Sequence, residues 1–308
     1  MEKPSSILMV RPHRFGYNRQ TAVDNHYQTP AGTVRNARGR AQDEFDTLFG
    51  VLTDHHVDIT VVDDTPTPHT PDSLFPNNWF STHGDGQVII YPMKAENRRR
   101  EINKEILPTL REKFEVRSVL DLSHHAETER YLEGTGSIVF DHVHRVAYAG
   151  YSQRTDPELL AFVSEQLGYT VVGFHATDTE NRPIYHTNVL MAIADRYAVV
   201  CLEALREHAD VTRLRSHLEA SDKRVIEITQ GQVQQFAGNM LQVWDHAGNP
   251  FLVMSEQARQ SLTKSQLSEL ESYNPLISSA IPTIEKLGGG SVRCMMAEIY
   301  LAPHQRYH

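Results

Sequence analysis

The 308-residue chain has two cysteines, Cys201 and Cys294, in opposite settings. Cys201 lies within the apolar run "AVVCLEAL", where a small, unreactive core residue is expected. Cys294 follows "GGGSVR", in which Gly288, Gly289 and Gly290 allow a sharp turn and close backbone approach to a ligand, and Arg293 adds positive potential. The thiolate is the attacking form of cysteine, so this second setting suits nucleophilic catalysis. It equally fits a buried cysteine ahead of a terminal strand. The triple glycine matches neither the P-loop nor the dinucleotide-binding pattern. A nucleophilic thiol also needs an acid–base partner, most often histidine. Of the 17 histidines, His186 in "YHTNVLM" stands immediately before a predicted strand pair. Glu133 in "LEGTGS" holds the matching place one unit earlier, Asn77 and Asn78 in "DSLFPNNWF" one unit earlier again, and Asn239 in "FAGNML" one unit later. Gathered around one axis, Asn77, Asn78 and Asn239 are expected to contact the substrate; singly, each of these polar residues also reads as a cap or turn residue.

The units that place these residues are strand pairs joined by polar turns: "WFSTHGDGQVIIYPM" (79–93), "SIVFDHVHRVAYAGY" (137–151), "NVLMAIADRYAVVCL" (188–202) and "MLQVWDHAGNPFLVM" (240–254). Apolar runs around Asp, Gly, His or Asn predict hairpins. Charged amphipathic helices are predicted after them, over 97–114, 156–167, 211–220 and 264–273. Single strands follow at 169–175 and 224–230, and a last pair is predicted from 5–12 with 291–301, joining the two termini. The repeat of about fifty residues lies in the propeller range. It predicts a pseudo-symmetric α/β ring in one domain over 1–308, with the polar residues gathered at one end of the axis; a generic α+β sheet is the alternative.

Composition narrows the function. Forty per cent of the residues are hydrophobic, enough for a large core. A net charge of −9 argues against nucleic acid as a partner. No apolar run approaches the roughly 20 residues that cross a bilayer, and the start "MEKPSSILMVRP" lacks a secretory pattern. Two cysteines give no disulfide framework, so a reducing cytoplasm is expected. His124, His125, Glu127 and Glu129, and His142 with His144, raise a metal-binding alternative, but HExxH and paired CxxC spacings are missing. A non-catalytic binding protein is the other alternative of a different class.

With Cys294, His186, Glu133 and the 72–80 loop in view, the chain resembles the guanidine-modifying superfamily with the five-bladed α/β propeller, or pentein, fold. That superfamily includes arginine deiminases, dimethylarginine hydrolases and amidinotransferases, and the likeness is nearest to citrulline-utilisation hydrolases. It runs through ordered motifs over nearly the whole chain. The head-group motif D-x-x-F-x-x-D is matched by Asp72 and Phe75, with Asn78 in place of the last Asp. The E-G-G-D motif appears as "EGTG", which implies Glu133 as the catalytic carboxylate and leaves Gly136 where Asp stands in the family. The H-x-D motif implies His186 as acid–base, with Asn188 replacing Asp. The "SQRT" segment implies Arg154 as a clamp for a substrate α-carboxylate, and the C-terminal nucleophile falls on Cys294. Neither a cofactor nor a metal is implied; the partner is a small amino acid, and pairing between subunits through edge strands is open.

The amides discriminate between substrates. A guanidinium is a donor-only cation whose burial calls for carboxylates. A ureido group is neutral and adds a carbonyl acceptor, which Asn, able both to donate and to accept, suits better than an ionised Asp. Asn78 and Asn188 therefore favour hydrolysis of citrulline to ornithine, carbon dioxide and ammonia. Arginine deiminase and dimethylarginine hydrolase activities are the alternatives within the class, since Asp72 and Glu133 remain available to a cation.

Overall fold

The computed structural model describes residues 3–30, 32 and 34–304, apart from the side chain of Asn103. Among the described residues fifteen strands form five three-stranded sheets, all built on one plan. In the first four, an antiparallel hairpin is followed, after a crossover, by a strand parallel to the second strand. These are β3 (Phe80–Thr82), β4 (Gln87–Ile90) and β5 (Ser118–Asp121); β6 (Val139–Asp141), β7 (Val146–Gly150) and β8 (Thr170–Phe174); β9 (Met191–Ile193), β10 (Tyr197–Val200) and β11 (Arg224–Glu227); and β12 (Leu241–Trp244), β13 (Pro250–Ser255) and β14 (Leu276–Ser279). The fifth sheet repeats the plan across the termini. There β15 (Ala297–Ile299) pairs antiparallel with β1 (Ser6–Arg11), which runs parallel to β2 (Ile59–Asp63).

Turn chemistry sets the hairpins. Asp141 Oδ1 accepts from the backbone N–H groups of Val143 and His144 at 3.2 and 3.1 Å, and Asp245 Oδ1 from that of Asn249 at 2.8 Å. The middle strands are the apolar ones: every residue of β7 and of β10 is buried, as a strand covered on both faces requires. All four internal hairpins and the pairing of the termini are where the sequence predicts them.

The helix predicted over 97–114 is broken. A turn at Glu96–Arg99 runs into a 3₁₀ segment at Arg100–Asn103, and a new helix starts at Ile106–Lys113. Pro108 has no N–H for the carbonyl four residues back. At the break, Lys104 is drawn away to Asp64 and to the carbonyls of Thr65 and Pro68, at 2.9, 2.7 and 2.8 Å. Among the described residues no helix is long and apolar enough to cross a membrane.

Candidate active site

The repeat also positions the chemistry. Short helical turns lead into the first strands of four sheets: Pro76–Asn78 before β3, Gly134–Ser137 before β6, Thr187–Leu190 before β9 and Val292–Met295 before β15. Glu133 and His186 are the N-cap residues of their turns, and Cys294 lies within the last. Asn239 stands just ahead of β12. The turns converge on a narrow cleft lined by Asp72, Phe75, Asn78, Arg98, Arg154, His186 and Cys294, with Thr21, Asn25, Tyr185, Gly288 and Gly290. Such crowding explains two glycines. A Cβ on Gly136 would come within 2.6 Å of Asn78 Nδ2 and of the His186 ring, and one on Gly290 within 3.3 Å of Cys294 Sγ. Gly136, where the family motif carries Asp, thus has no room for a side chain.

His186 Nε2 meets Glu133 Oε2 at 2.8 Å, with both side chains buried. Glu133 Oε2 also accepts from Arg154 Nη1 at 3.2 Å, and Oε1 accepts the Lys94 backbone N–H at 3.0 Å. Burial opposes its charge, but Arg154 and His186 overcome that and hold Glu133 well below the usual carboxylate range. Burial lowers the His186 pKa, and the adjacent Glu133 only partly restores it.

Cys294 is 3% exposed, and burial pushes its thiol up. Its sulfur meets two amides, Asn239 Nδ2 at 3.3 Å and Asn188 Nδ2 at 3.6 Å. Asn188 Oδ1 is buried without a hydrogen-bond partner. Cys201 is wholly buried in a hydrophobic cluster, its thiol pushed up to about 12, as expected of a core residue.

At the opposite wall, Arg98 Nη1 donates to Asn78 Oδ1 at 2.7 Å while its other nitrogens grip both oxygens of Glu101 and the carbonyl of Phe75. Asn78 Nδ2 donates to Asn77 Oδ1 at 3.1 Å. Asp72 Oδ2 accepts from Asn18 and Thr21 at 2.7 and 3.0 Å, whereas its Oδ1 is buried with no partner. Burial raises the Asp72 carboxyl above its ordinary value, against the pull of Arg98. Arg154 binds Asp24 as well as Glu133, donates to the Thr21 carbonyl at 3.0 Å and stacks 4.8 Å over the Tyr185 ring. Lys94 holds the second oxygen of Asp24 at 2.7 Å.

Of the residues singled out in the sequence, Asp72, Phe75, Asn78, Arg154, His186 and Cys294 line the cleft together, and Glu133 stands directly behind His186. Three amides do not line it. Asn188 and Asn239 touch the sulfur instead, and the Asn77 amide donates to Thr135 Oγ1 at 3.1 Å, tying two turns together. Arg98, Asp24, Thr21 and Tyr185 escaped the sequence reading. Arg98 sits in a run of three arginines in which it is buried and Arg100 is exposed, so the run reads as a solvent-facing helix. Asp24 lies in the polar stretch "NRQTAVDNHYQ", which shows no period; Tyr185, next to His186, was the one accessible signal. His144 pairs with Asp141 at 3.0 Å, and among the described residues no three His, Cys, Asp or Glu side chains gather as a metal site requires.

Comparison with known proteins bears on the same constellation. A family model described as N,N dimethylarginine dimethylhydrolase, eukaryotic, matches residues 11–301. Among solved structures, apo ArgZ, an arginine dihydrolase from the ornithine–ammonia cycle in cyanobacteria, superposes with a TM-score of 0.75 at 16% identity, over 96% of this chain and 40% of that one. The present chain thus spans less than half the length of that enzyme. The substrate-bound N-terminal domain of ArgZ, a cysteine-to-serine mutant, gives 0.74 at 17% identity, over 96% of this chain and 99% of that one. A cysteine-to-serine mutant of dimethylarginine hydrolase (DDAH) from Pseudomonas aeruginosa, complexed with citrulline, gives 0.67 at 17% identity, over 96% and 100%. These likenesses share the α/β fold. No curated protein matches the sequence significantly.

Proposed function

As the chain belongs to the N,N dimethylarginine dimethylhydrolase family, within the guanidino-modifying pentein superfamily, we propose that it is a cysteine-dependent hydrolase of citrulline. The five sheets act as the blades of one catalytic domain, a ring with the cleft at one end of its axis. The observation that carries the substrate is the hydrogen bond from Arg98 to Asn78 Oδ1. Arginine can only donate, so it claims the Asn78 carbonyl; of the two amide hydrogens one is held by Asn77 Oδ1, which leaves the other to face a ligand. A fixed donor suits the carbonyl of a ureido group and opposes the N–H groups of a guanidinium. The raised Asp72 carboxyl likewise suits a neutral head group, to which its unpartnered Oδ1 is open.

In this reading the Cys294 proton passes to the neutral His186, and the thiolate attacks the ureido carbon. The tetrahedral oxyanion receives the Asn78 N–H. His186 returns the proton to the departing nitrogen, leaving a carbamoyl thioester, then deprotonates the water that cleaves it. Citrulline and one water give ornithine, carbon dioxide and ammonia. Glu133 holds His186 in the required orientation throughout. Arg154 takes the substrate α-carboxylate in exchange for Asp24, which stays with Lys94.

A guanidino substrate, arginine or dimethylarginine, is the second reading, favoured by the ionised Glu133 and by the family itself. Incubation with citrulline, arginine and dimethylarginine, with ammonia and amino-acid products measured by mass spectrometry, separates the two. Turnover of arginine or dimethylarginine but not citrulline refutes the first.

A further inference from the structure

Cys294 must become an anion in a setting where each nearby cation is already paired. The Arg293 guanidinium donates to Glu298 Oε2 at 3.0 Å and to the Met296 carbonyl at 2.8 Å. Arg98 is held by Glu101, Arg154 by Asp24 and Glu133, and His186 by Glu133. Tyr185 stays neutral, its hydroxyl donating to the Gly289 carbonyl at 2.6 Å. Asp72, in the same cleft, can only add negative charge.

What touches the sulfur is a pair of amides whose orientation is set from behind. Asn239 Oδ1 accepts the Arg293 backbone N–H at 3.1 Å, and Asn239 Nδ2 donates to the Asn188 carbonyl at 2.8 Å. Flipping this amide would set donor against donor and acceptor against acceptor, so one Nδ2 hydrogen is committed to the sulfur at 3.3 Å. Asn188 Nδ2 supplies a second donor at 3.6 Å. In the neutral state the S–H can turn to Asn239 Oδ1 at 3.7 Å, so the same side chain serves both forms.

We propose that Asn188 and Asn239 form a two-amide cradle that accepts the negative charge of Cys294 Sγ when its proton passes to His186. The two residues then act on the nucleophile, not on the substrate head group. The inference rests on Cys294 being the nucleophile, but it is tested without substrate. Hydrogen bonds to an ionised acceptor are roughly twice as strong as neutral ones, so the cradle selectively favours the thiolate.

The test is the pH dependence of iodoacetamide alkylation at Cys294, followed by peptide mass spectrometry in the parent, in Asn188→Ala and in Asn239→Asp. Among the described residues the Asn188 side chain makes no hydrogen bond except to sulfur, so its removal breaks no other tie. Its loss should displace the alkylation inflection upward by about one pH unit, a tenfold slower reaction below it. Asn239→Asp keeps the acceptor for Arg293 but turns a carboxylate on the sulfur, and should displace the inflection further. An unchanged inflection in Asn188→Ala overturns the cradle, even if Asn239→Asp does not fold. If the parent hydrolyses no ureido or guanidino compound, the substrate reading fails while the alkylation result still judges the cradle.

Discussion

Glu133 Oε2 lies 2.8 Å from His186 Nε2 and 3.2 Å from Arg154 Nη1, so one buried oxygen joins the imidazole to the guanidinium. Removing this carboxylate acts first on His186. Burial already lowers the imidazole below its ordinary value, and Glu133 pulls it partly back. The parent should show a plateau of kcat/KM through neutrality. Its acid limb should lie below about 6.5, where His186 gains a proton, and its alkaline limb above the ordinary thiol range. Glu133→Gln should move the acid limb lower still and reduce kcat by about 10²–10⁴-fold. An acid limb that rises in the variant contradicts the assignment.

In the proposed reaction Asn78 selects the substrate. Asn78→Asp places a carboxylate against Arg98, which now pairs with it, and removes the donor offered to a ureido oxygen. Citrulline turnover should fall by roughly 10²-fold or more, and the ratio of arginine to citrulline kcat/KM should rise. Equal losses on both substrates would make Asn78 a merely structural residue.

Arg154 binds two carboxylates at 3% side-chain exposure. Arg154→Met would leave Glu133 and Asp24 without it, a loss of about 3–5 kcal/mol from a broken buried pair. Denaturant unfolding measures it; a midpoint within error of the parent's would show that the pairs rearrange freely.

Glu285 supports the turn that carries Cys294: it accepts from Ser291 Oγ at 2.6 Å, and the Ser291 carbonyl accepts the Cys294 N–H at 3.0 Å. Burial pushes Glu285 up to about 7. A carboxyl raised on folding contributes stability that is fully present below about 4.5 and is lost as pH rises through about 7. Glu285→Gln escapes that loss. Its stability relative to the parent should grow between pH 4.5 and 8 by on the order of 3 kcal/mol. A difference that stays flat with pH, followed by chemical denaturation, would mean that Glu285 is ionised throughout.

The two thiols should separate cleanly. Cys294→Ala should retain ligand binding by calorimetry and lose turnover. Cys201→Ala should keep turnover and lose about 1 kcal/mol of stability to a small cavity. Turnover that survives in Cys294→Ala would remove that residue from the chemistry.

What the sequence by itself determined were the local features: four hairpins, the pairing of the termini, the core role of Cys201, and the residues at the mouth of each unit. Hairpins depend on neighbouring residues and turn chemistry, and the repeat multiplies a weak signal, so both are legible without coordinates. Only the tertiary structure decided what each polar group faces. Arg98 and Arg100 are two positions apart in one charged run, yet one is sealed against Asn78 and Glu101 while the other is exposed. Asp24 reaches Arg154 across 130 positions of chain, and Asn239 reaches the Cys294 sulfur across 55. Such meetings arise from the way whole sheets pack, and no period or motif in the chain encodes them. For that reason the sequence placed Asn239 among the substrate contacts, whereas in the folded chain its amide lies against sulfur.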